Sequence, residues 1–221
     1  MRFRFANRAE AGRFLAGKLE TYASHPEAMI FGLPRGGIVV ASAVAHKLHL
    51  PSHAFLVRKL GVPGQEELAM GAIAGGGICL LNHSLIRALG IPQQAIDAVM
   101  AREKTELARR QRIFNIGPPP EIRGKTIILI DDGLATGASM RAAVTAARGH
   151  HPARMVVAVP VAAESVCREF AEEVDEFVCV HAPEHLEGVG QWYEDFEQTS
   201  DEEVRKLLEQ SWAVVPSSHN K

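Results

Sequence analysis

The chain has no run of lysines or arginines, no cysteine pair at CxxC spacing and no apolar stretch of bilayer length. Each absence removes a class of function. With a formal net charge of −2 and no basic stripe, nucleic acid is not an expected partner. The three cysteines, Cys79, Cys167 and Cys179, are an odd count, which argues against a disulfide framework and for buried thiols in a reducing compartment. The opening MRFRFANRAEAGRF holds no apolar h-region and does not read as a signal peptide. Without a membrane-length window, no membrane partner is expected, and a soluble, cytoplasmic protein is the expectation. G-x-G-x-x-G, Walker A and HExxH patterns are absent. His181 and His185 stand four apart, but Pro183 between them disfavours the helix that metal spacing would need.

What remains is ordinary globular composition: 221 residues, 47% hydrophobic and 23% charged. Apolar, β-branched runs at 29–33, 54–58, 126–131, 155–160 and 176–180 alternate with helical patterns at 9–22, 38–48, 93–114, 136–148, 164–173 and 201–210. In the first helix Phe14, Leu15 and Leu19 share one face. That alternation predicts a doubly wound α/β fold with a mainly parallel sheet of about five strands and helices on both faces. Residues 59–82 break it: Gly61, Pro63 and Gly64 suggest a mobile loop, and the apolar pieces 69–73 and 78–81 around Gly75–Gly77 suggest a small hairpin. The basic stretch 102–112 is interleaved with acids and reads as a solvated helix face. One domain is expected over 1–221, with a core at about 25–182 and a hood from the terminal segments 1–24 and 183–221.

The most informative stretch is Thr126–Ser139, TIILIDDGLATGAS. A buried strand ends in two carboxylates, then a short loop with two glycines and a threonine opens a helix. Backbone N–H groups of such a loop favour a phosphate, and Gly137 permits close approach. The Thr136 and Ser139 hydroxyls can donate to phosphate oxygens. Acids beside a phosphate repel it unless they face hydroxyls or a metal. Asp131 and Asp132 are therefore suited to a ribose diol and to Mg²⁺. Leu33-Pro34-Arg35-Gly36-Gly37 follows the first strand and offers N–H groups and a guanidinium, a pyrophosphate grip or simply a strand-to-helix turn. Arg58 and Lys59 place two cations at the end of the next strand, suited to a diphosphate leaving group.

The 126–139 stretch closely resembles the phosphoribosyl-pyrophosphate signature of type I phosphoribosyltransferases. The resemblance implies that Asp131 and Asp132 bind the ribose hydroxyls and support Mg²⁺. It implies that Gly133, Leu134, Ala135, Thr136, Gly137, Ala138 and Ser139 cradle the 5′-phosphate. Gly133 departs from the pattern, which usually has an aliphatic residue there. The resemblance also implies that Pro34–Gly37 binds pyrophosphate, with a cis Pro34–Arg35 bond, and that the segment after Lys59 is a loop that closes over the site. Which of Glu66 and Glu67 turns inward is left open.

The segment 188–196 is similar to the tail of hypoxanthine-guanine phosphoribosyltransferases, one residue longer in spacing. By that similarity Val189, Trp192, Tyr193 and Asp195 line a base pocket, with an aromatic stacked on the base. The alternative is that these aromatics anchor the C-terminal helix. Ala135 stands where 6-oxopurine enzymes often have Asp, which disfavours hypoxanthine and guanine. The implied activity is Mg²⁺-dependent transfer from phosphoribosyl pyrophosphate to a nitrogenous base or amine. The alternative is a regulatory module that binds the sugar diphosphate without turnover. Relatives commonly form homodimers, so a homodimer is an expectation too.

Overall fold

The structure, a computed structural model, describes residues 3–114 and 120–212. Five strands form a parallel sheet: β1 (Ala28–Gly32), β2 (Ser52–Ala54), β6 (Thr126–Ile130), β7 (Arg154–Val161) and β8 (Glu176–His181), ordered β2-β1-β6-β7-β8. Strand periodicity sorts their side chains between two faces. Ile127, Leu129, Val157 and Val159 pack with Met140 of α5 (Ala138–Arg148) and Phe170 of α6 (Glu164–Glu173). Ile128, Ile130, Val156 and Ala158 pack with Leu15 of α1 (Arg8–Lys18) and Val40 and Val44 of α2 (Gly36–Leu48). Helices therefore cover both faces, as the alternation predicts.

Local chemistry sets the helix ends. Asn7 caps α1, its side chain accepting from the Glu10 N–H at 3.0 Å. Leu15 and Leu19 face the core, but Phe14 is exposed and meets Phe3 edge-on, so the expected three-residue face shrinks to two. α5 begins at Ala138, two residues later than the pattern suggests, because Gly137 at φ 72° serves as its N-cap.

The expected strand 54–58 divides between two sheets. Ser52–Ala54 joins the parallel sheet, whereas β3 (Val57–Val62) pairs antiparallel with β4 (Gln65–Ala74), and β4 with β5 (Cys79–Leu81). The segment expected as a mobile loop is thus a hairpin turning at Pro63–Gly64, with register shifts around Gly61. The expected hairpin is present, its turn formed by Gly75–Gly77. α3 (His83–Leu89) and α4 (Gln93–Ile113) follow. Pro118 and Pro119, which follow α4 in the sequence, lie outside the described residues.

The two terminal segments meet. The Phe5 N–H donates to the Trp192 carbonyl at 2.8 Å, and the Glu194 N–H to the Phe5 carbonyl at 2.8 Å. Phe5, Ala11, Val161, Trp192 and Tyr193 form a small buried cluster. The last helix, α7 (Asp201–Trp212), packs on α2 and β2 through Val204 and Leu208. Val189 leans over the sheet end so closely that a Cβ at Gly133 would lie 2.6 Å from Val189 Cγ1 and 2.9 Å from Val161 Cγ1. The side chain missing at Gly133 is replaced in space by one from the C-terminal segment.

Gly133→Val should therefore overpack this contact and cost about 1–3 kcal/mol, read as a lower Tm. Val189→Ala in the same chain should recover most of the loss, and additive losses in the double variant would refute the complementarity. A second outcome concerns His53, whose ring lies 5.5 Å from Phe31 and whose burial lowers its pKa to about 4. The unfolded chain takes this proton near pH 6.5 and the folded one only near pH 4. The neutral ring's contribution is thus complete above pH 6.5 and lost as pH falls to about 4, roughly 3 kcal/mol in all. Denaturant titrations across that window should show a shallower loss for His53→Gln; parallel curves would exclude this histidine as the cause.

Candidate active site

Parallel pairing brings distant sequence together at the carboxyl edge of the sheet. β1 and β6 run in register from Ala28↔Thr126 to Gly32↔Ile130, and the Leu33 N–H continues the ladder to the Ile130 carbonyl at 2.8 Å. The chain beyond each strand therefore emerges side by side: Pro34–Gly37 from β1, Asp131 and Asp132 from β6. The Pro34–Arg35 peptide is cis. Gly36 lies so near Asp132 that a Cβ there would collide with Oδ2. Arg35 reaches Asp201 of α7, with Nη1 3.5 Å from Oδ1.

The two acids are held differently. Asp132 Oδ2 accepts from Arg8 Nε at 2.7 Å, in an ion pair whose side chains are 12% and 17% exposed. Arg8 also donates to the Glu197 carbonyl at 2.7 Å and lies over the Phe196 ring, 3.9 Å from its centroid. Asp131 Oδ1 accepts from the Asp132 N–H at 2.9 Å. Burial, and then the neighbouring Asp132 charge, raises the Asp131 pKa well above the usual carboxylate range; the Asp132 N–H and Arg8 pull the other way. Arg8 lies 124 residues from its partner, and no local pattern marks it.

The loop from Gly133 to Ser139 then turns into α5. Leu134 is 3% exposed and bridges to Ala162, so its side chain belongs to the core while its neighbours Ala135 and Thr136 are exposed. Gly137 sits against Phe170, where a Cβ would lie 2.6 Å from Cε2. Arg141 steadies the loop, donating through Nη1 to the Thr136 carbonyl at 2.8 Å and pairing with Glu169 and Glu173. Ala138 and Ser139 open the helix, and the Ala138 N–H meets Thr136 Oγ1 at 3.4 Å.

A cavity of about 350 Å³ opens beside these elements. Pro34 and Asp131 line it from the edge of the parallel sheet, Ser139 from α5, Arg58, Lys59 and Glu66 from the small sheet, and Arg102, Glu103 and Arg110 from α4. The stretch 102–112 is therefore not simply a solvated face. Glu103 is 5% exposed and pairs with Arg58, Nη2 to Oε2 at 2.6 Å, and with Arg102, Nε to Oε1 at 3.0 Å. Its legible signal is position, since the buried residues of α4 are Ile96, Val99, Glu103 and Leu107. The Glu67 side chain is outside the described set.

The residues expected to line a base pocket separate. Trp192 and Tyr193 are 7% and 3% exposed and pack against His181 and Phe5, with ring centroids 4.5 Å and 5.6 Å apart. Here they anchor the C-terminal segment, because both rings are enclosed by protein. The Tyr193 hydroxyl donates to the Asp132 carbonyl at 2.6 Å, and burial, then the Asp132 charge, raises its pKa. Asp195 is exposed and accepts from the Glu197 N–H at 3.0 Å. Val189 lies over Gly133.

A solved structure shares this overall arrangement. The chain is 36% identical to TT1426 from Thermus thermophilus, whose crystal structure superposes with a TM-score of 0.84 over 94% of this chain and 99% of that one. It is 41% identical over 208 residues to "Putative phosphoribosyl transferase Rv0571c" of Mycobacterium tuberculosis strain H37Rv. That match covers 94% of this chain and 47% of the relative, so the chain spans about half the length of the curated relatives it matches. Residues 60–187 match the family described as "Phosphoribosyl transferase domain". The chain belongs to the phosphoribosyl transferase domain family.

Proposed function

We propose that the protein is a phosphoribosyltransferase that takes phosphoribosyl pyrophosphate with Mg²⁺, joins its ribose to a nitrogen acceptor and releases pyrophosphate. The observation that carries this reading is the placement of Asp131, Ser139, Pro34, Arg58 and Lys59 around one cavity, with Asp132 and the loop 133–138 continuing from the same strand end. A sugar carrying phosphates at both ends needs these three chemistries together. In this reading the N–H groups from Ala135 to Ser139 hold the 5′-phosphate, the Leu134 N–H being taken by the Val161 carbonyl at 2.9 Å, while Asp131 and Asp132 accept from the ribose hydroxyls and Pro34–Gly37 binds the diphosphate.

The acceptor nitrogen's lone pair forms the new bond to the anomeric carbon, the bond from that carbon to the diphosphate oxygen breaks, and the nitrogen gives up its proton. Positive charge grows on the ring as negative charge grows on the leaving group. The acids stabilise the first and Arg35, Arg58 and Lys59 the second. The donor set suits Mg²⁺: two adjacent carboxylates, with no cluster of three or more acidic, His or Cys ligands among the described residues. This fits an ion that arrives with substrate phosphates and keeps its waters. Asp131 and Asp132 would hold it, and when bound it neutralises the departing diphosphate. Ala135 disfavours a 6-oxopurine acceptor.

Incubation with phosphoribosyl pyrophosphate, Mg²⁺ and a panel of bases and amines should release pyrophosphate with one acceptor class. Tight binding of the sugar diphosphate with no release for any acceptor would replace catalysis by a sensing role. Asp132→Asn should cut turnover by roughly a hundredfold or more. Arg8 then faces a neutral amide in place of its partner carboxylate, so the Tm should fall as well, and undiminished turnover in the folded variant would remove Asp132 from the mechanism.

A further inference from the structure

The mechanism above leaves unused the charged residues that α4 brings to the cavity. Glu103 is the one charged residue among the buried positions of α4, and its carboxylate serves two guanidiniums. Oε2 takes Arg58 through Nε at 2.7 Å and Nη2 at 2.6 Å, and Oε1 takes Arg102 through Nε at 3.0 Å. Arg58 and Arg102 come from different elements, β3 and α4, and both line the cavity wall beside Lys59. We propose that Glu103 is a positioning residue that holds Arg58 and Arg102 together as a two-guanidinium seat for the diphosphate end of the substrate, with Arg110 as a further cation on the same wall. This rests on the proposed function and names α4 as part of the site.

Charge and geometry both favour that occupant. Two guanidiniums side by side repel each other, and a shared carboxylate offsets the repulsion before any ligand arrives. One carboxylate between two arginines leaves the trio positive, and Lys59 and Arg110 add to it, against Glu66 and Asp131. Arg110 is itself steadied by Glu106, Nε to Oε1 at 3.0 Å. A guanidinium has five N–H donors in a planar fork, so arginines gripped partly through Nε keep donors for a second, bidentate anion. A neutral planar base gains little from such a wall, whereas a diphosphate with several negative oxygens matches it. Because the seat is fixed in advance, less ordering cost falls on binding.

The test is calorimetric titration of the 221-residue chain with inorganic pyrophosphate and Mg²⁺, beside steady-state kinetics with phosphoribosyl pyrophosphate. Glu103→Gln should raise the pyrophosphate Kd by about tenfold, the loss of charge-assisted hydrogen bonds. The KM for phosphoribosyl pyrophosphate should rise with it, while the acceptor KM is unchanged. Glu103→Asp should restore part of the affinity. Arg102→Gln alters a side chain that is 66% exposed, leaves Glu103 its Arg58 partner, and should weaken pyrophosphate comparably. If Glu103→Gln or Arg102→Gln binds pyrophosphate as the parent does, the positioning role is refuted while the parent's turnover leaves the proposed function standing. If the parent neither binds pyrophosphate nor turns over the sugar diphosphate, the proposed function itself fails, and this inference with it.

Discussion

The constraint on which the site depends is the parallel pairing of β1 with β6, segments nearly a hundred residues apart that lie in register to their last residues. Parallel strands release their chains in the same direction, so both connections emerge at one edge. There Gly36 abuts Asp132, with no room for a side chain between them. A slip of one residue would turn Ile128 and Ile130 to the wrong helical layer and carry the acids with them. The alternation of Ile127 and Leu129 toward α5 and α6 with Ile128 and Ile130 toward α1 and α2 therefore fixes the site as well as the core.

Around that edge the charges are arranged in groups of opposite sign. Asp132 is matched by Arg8, Arg58 and Arg102 by Glu103, and Arg141 by Glu169 and Glu173. Each group joins elements far apart in the chain, and partial burial makes each geometry more defined than an exposed pair would be. Such an arrangement keeps charges in place near a cavity without leaving any buried charge uncompensated. The exception is Asp131, which lies next to a like charge and has its pKa raised accordingly.

How much of this is legible in sequence depends on how local the determinant is. The β6 strand, its acid pair and the glycine-bearing turn into α5 are contiguous, so the pattern carries them, and the cis Pro34–Arg35 bond follows from resemblance. The division of 54–58 is hidden, because Phe55 and Leu56 are apolar whichever sheet they adjoin. Gly61, Pro63 and Gly64 read as loop punctuation, yet they serve a tight turn and a register shift within paired strands. Trp192 and Tyr193 are ambiguous for another reason. An amphipathic ring suits a ligand face and a core equally, and only the enclosing Phe5 and His181, supplied by other parts of the chain, decide between them. Arg8 has no sequence signal, whereas Glu103 has a faint one, an acid on an apolar stripe.

The Arg8–Asp132 pair connects these points. Arg8 belongs to α1, rests on Phe196 and holds the Glu197 carbonyl, while Tyr193 donates to the Asp132 backbone. The terminal segments are thus attached to the acid pair itself, through both its side chain and its main chain. A ligand that engaged Asp132 through hydroxyls or a cation would compete with Arg8 for the same carboxylate, and a change there would pass directly into α1 and the segment 193–197. The polar contacts are direct, the two made by Arg8 and the one made by Tyr193 being 2.6–2.7 Å long. The covering segments are then a part of the electrostatics of the acid pair.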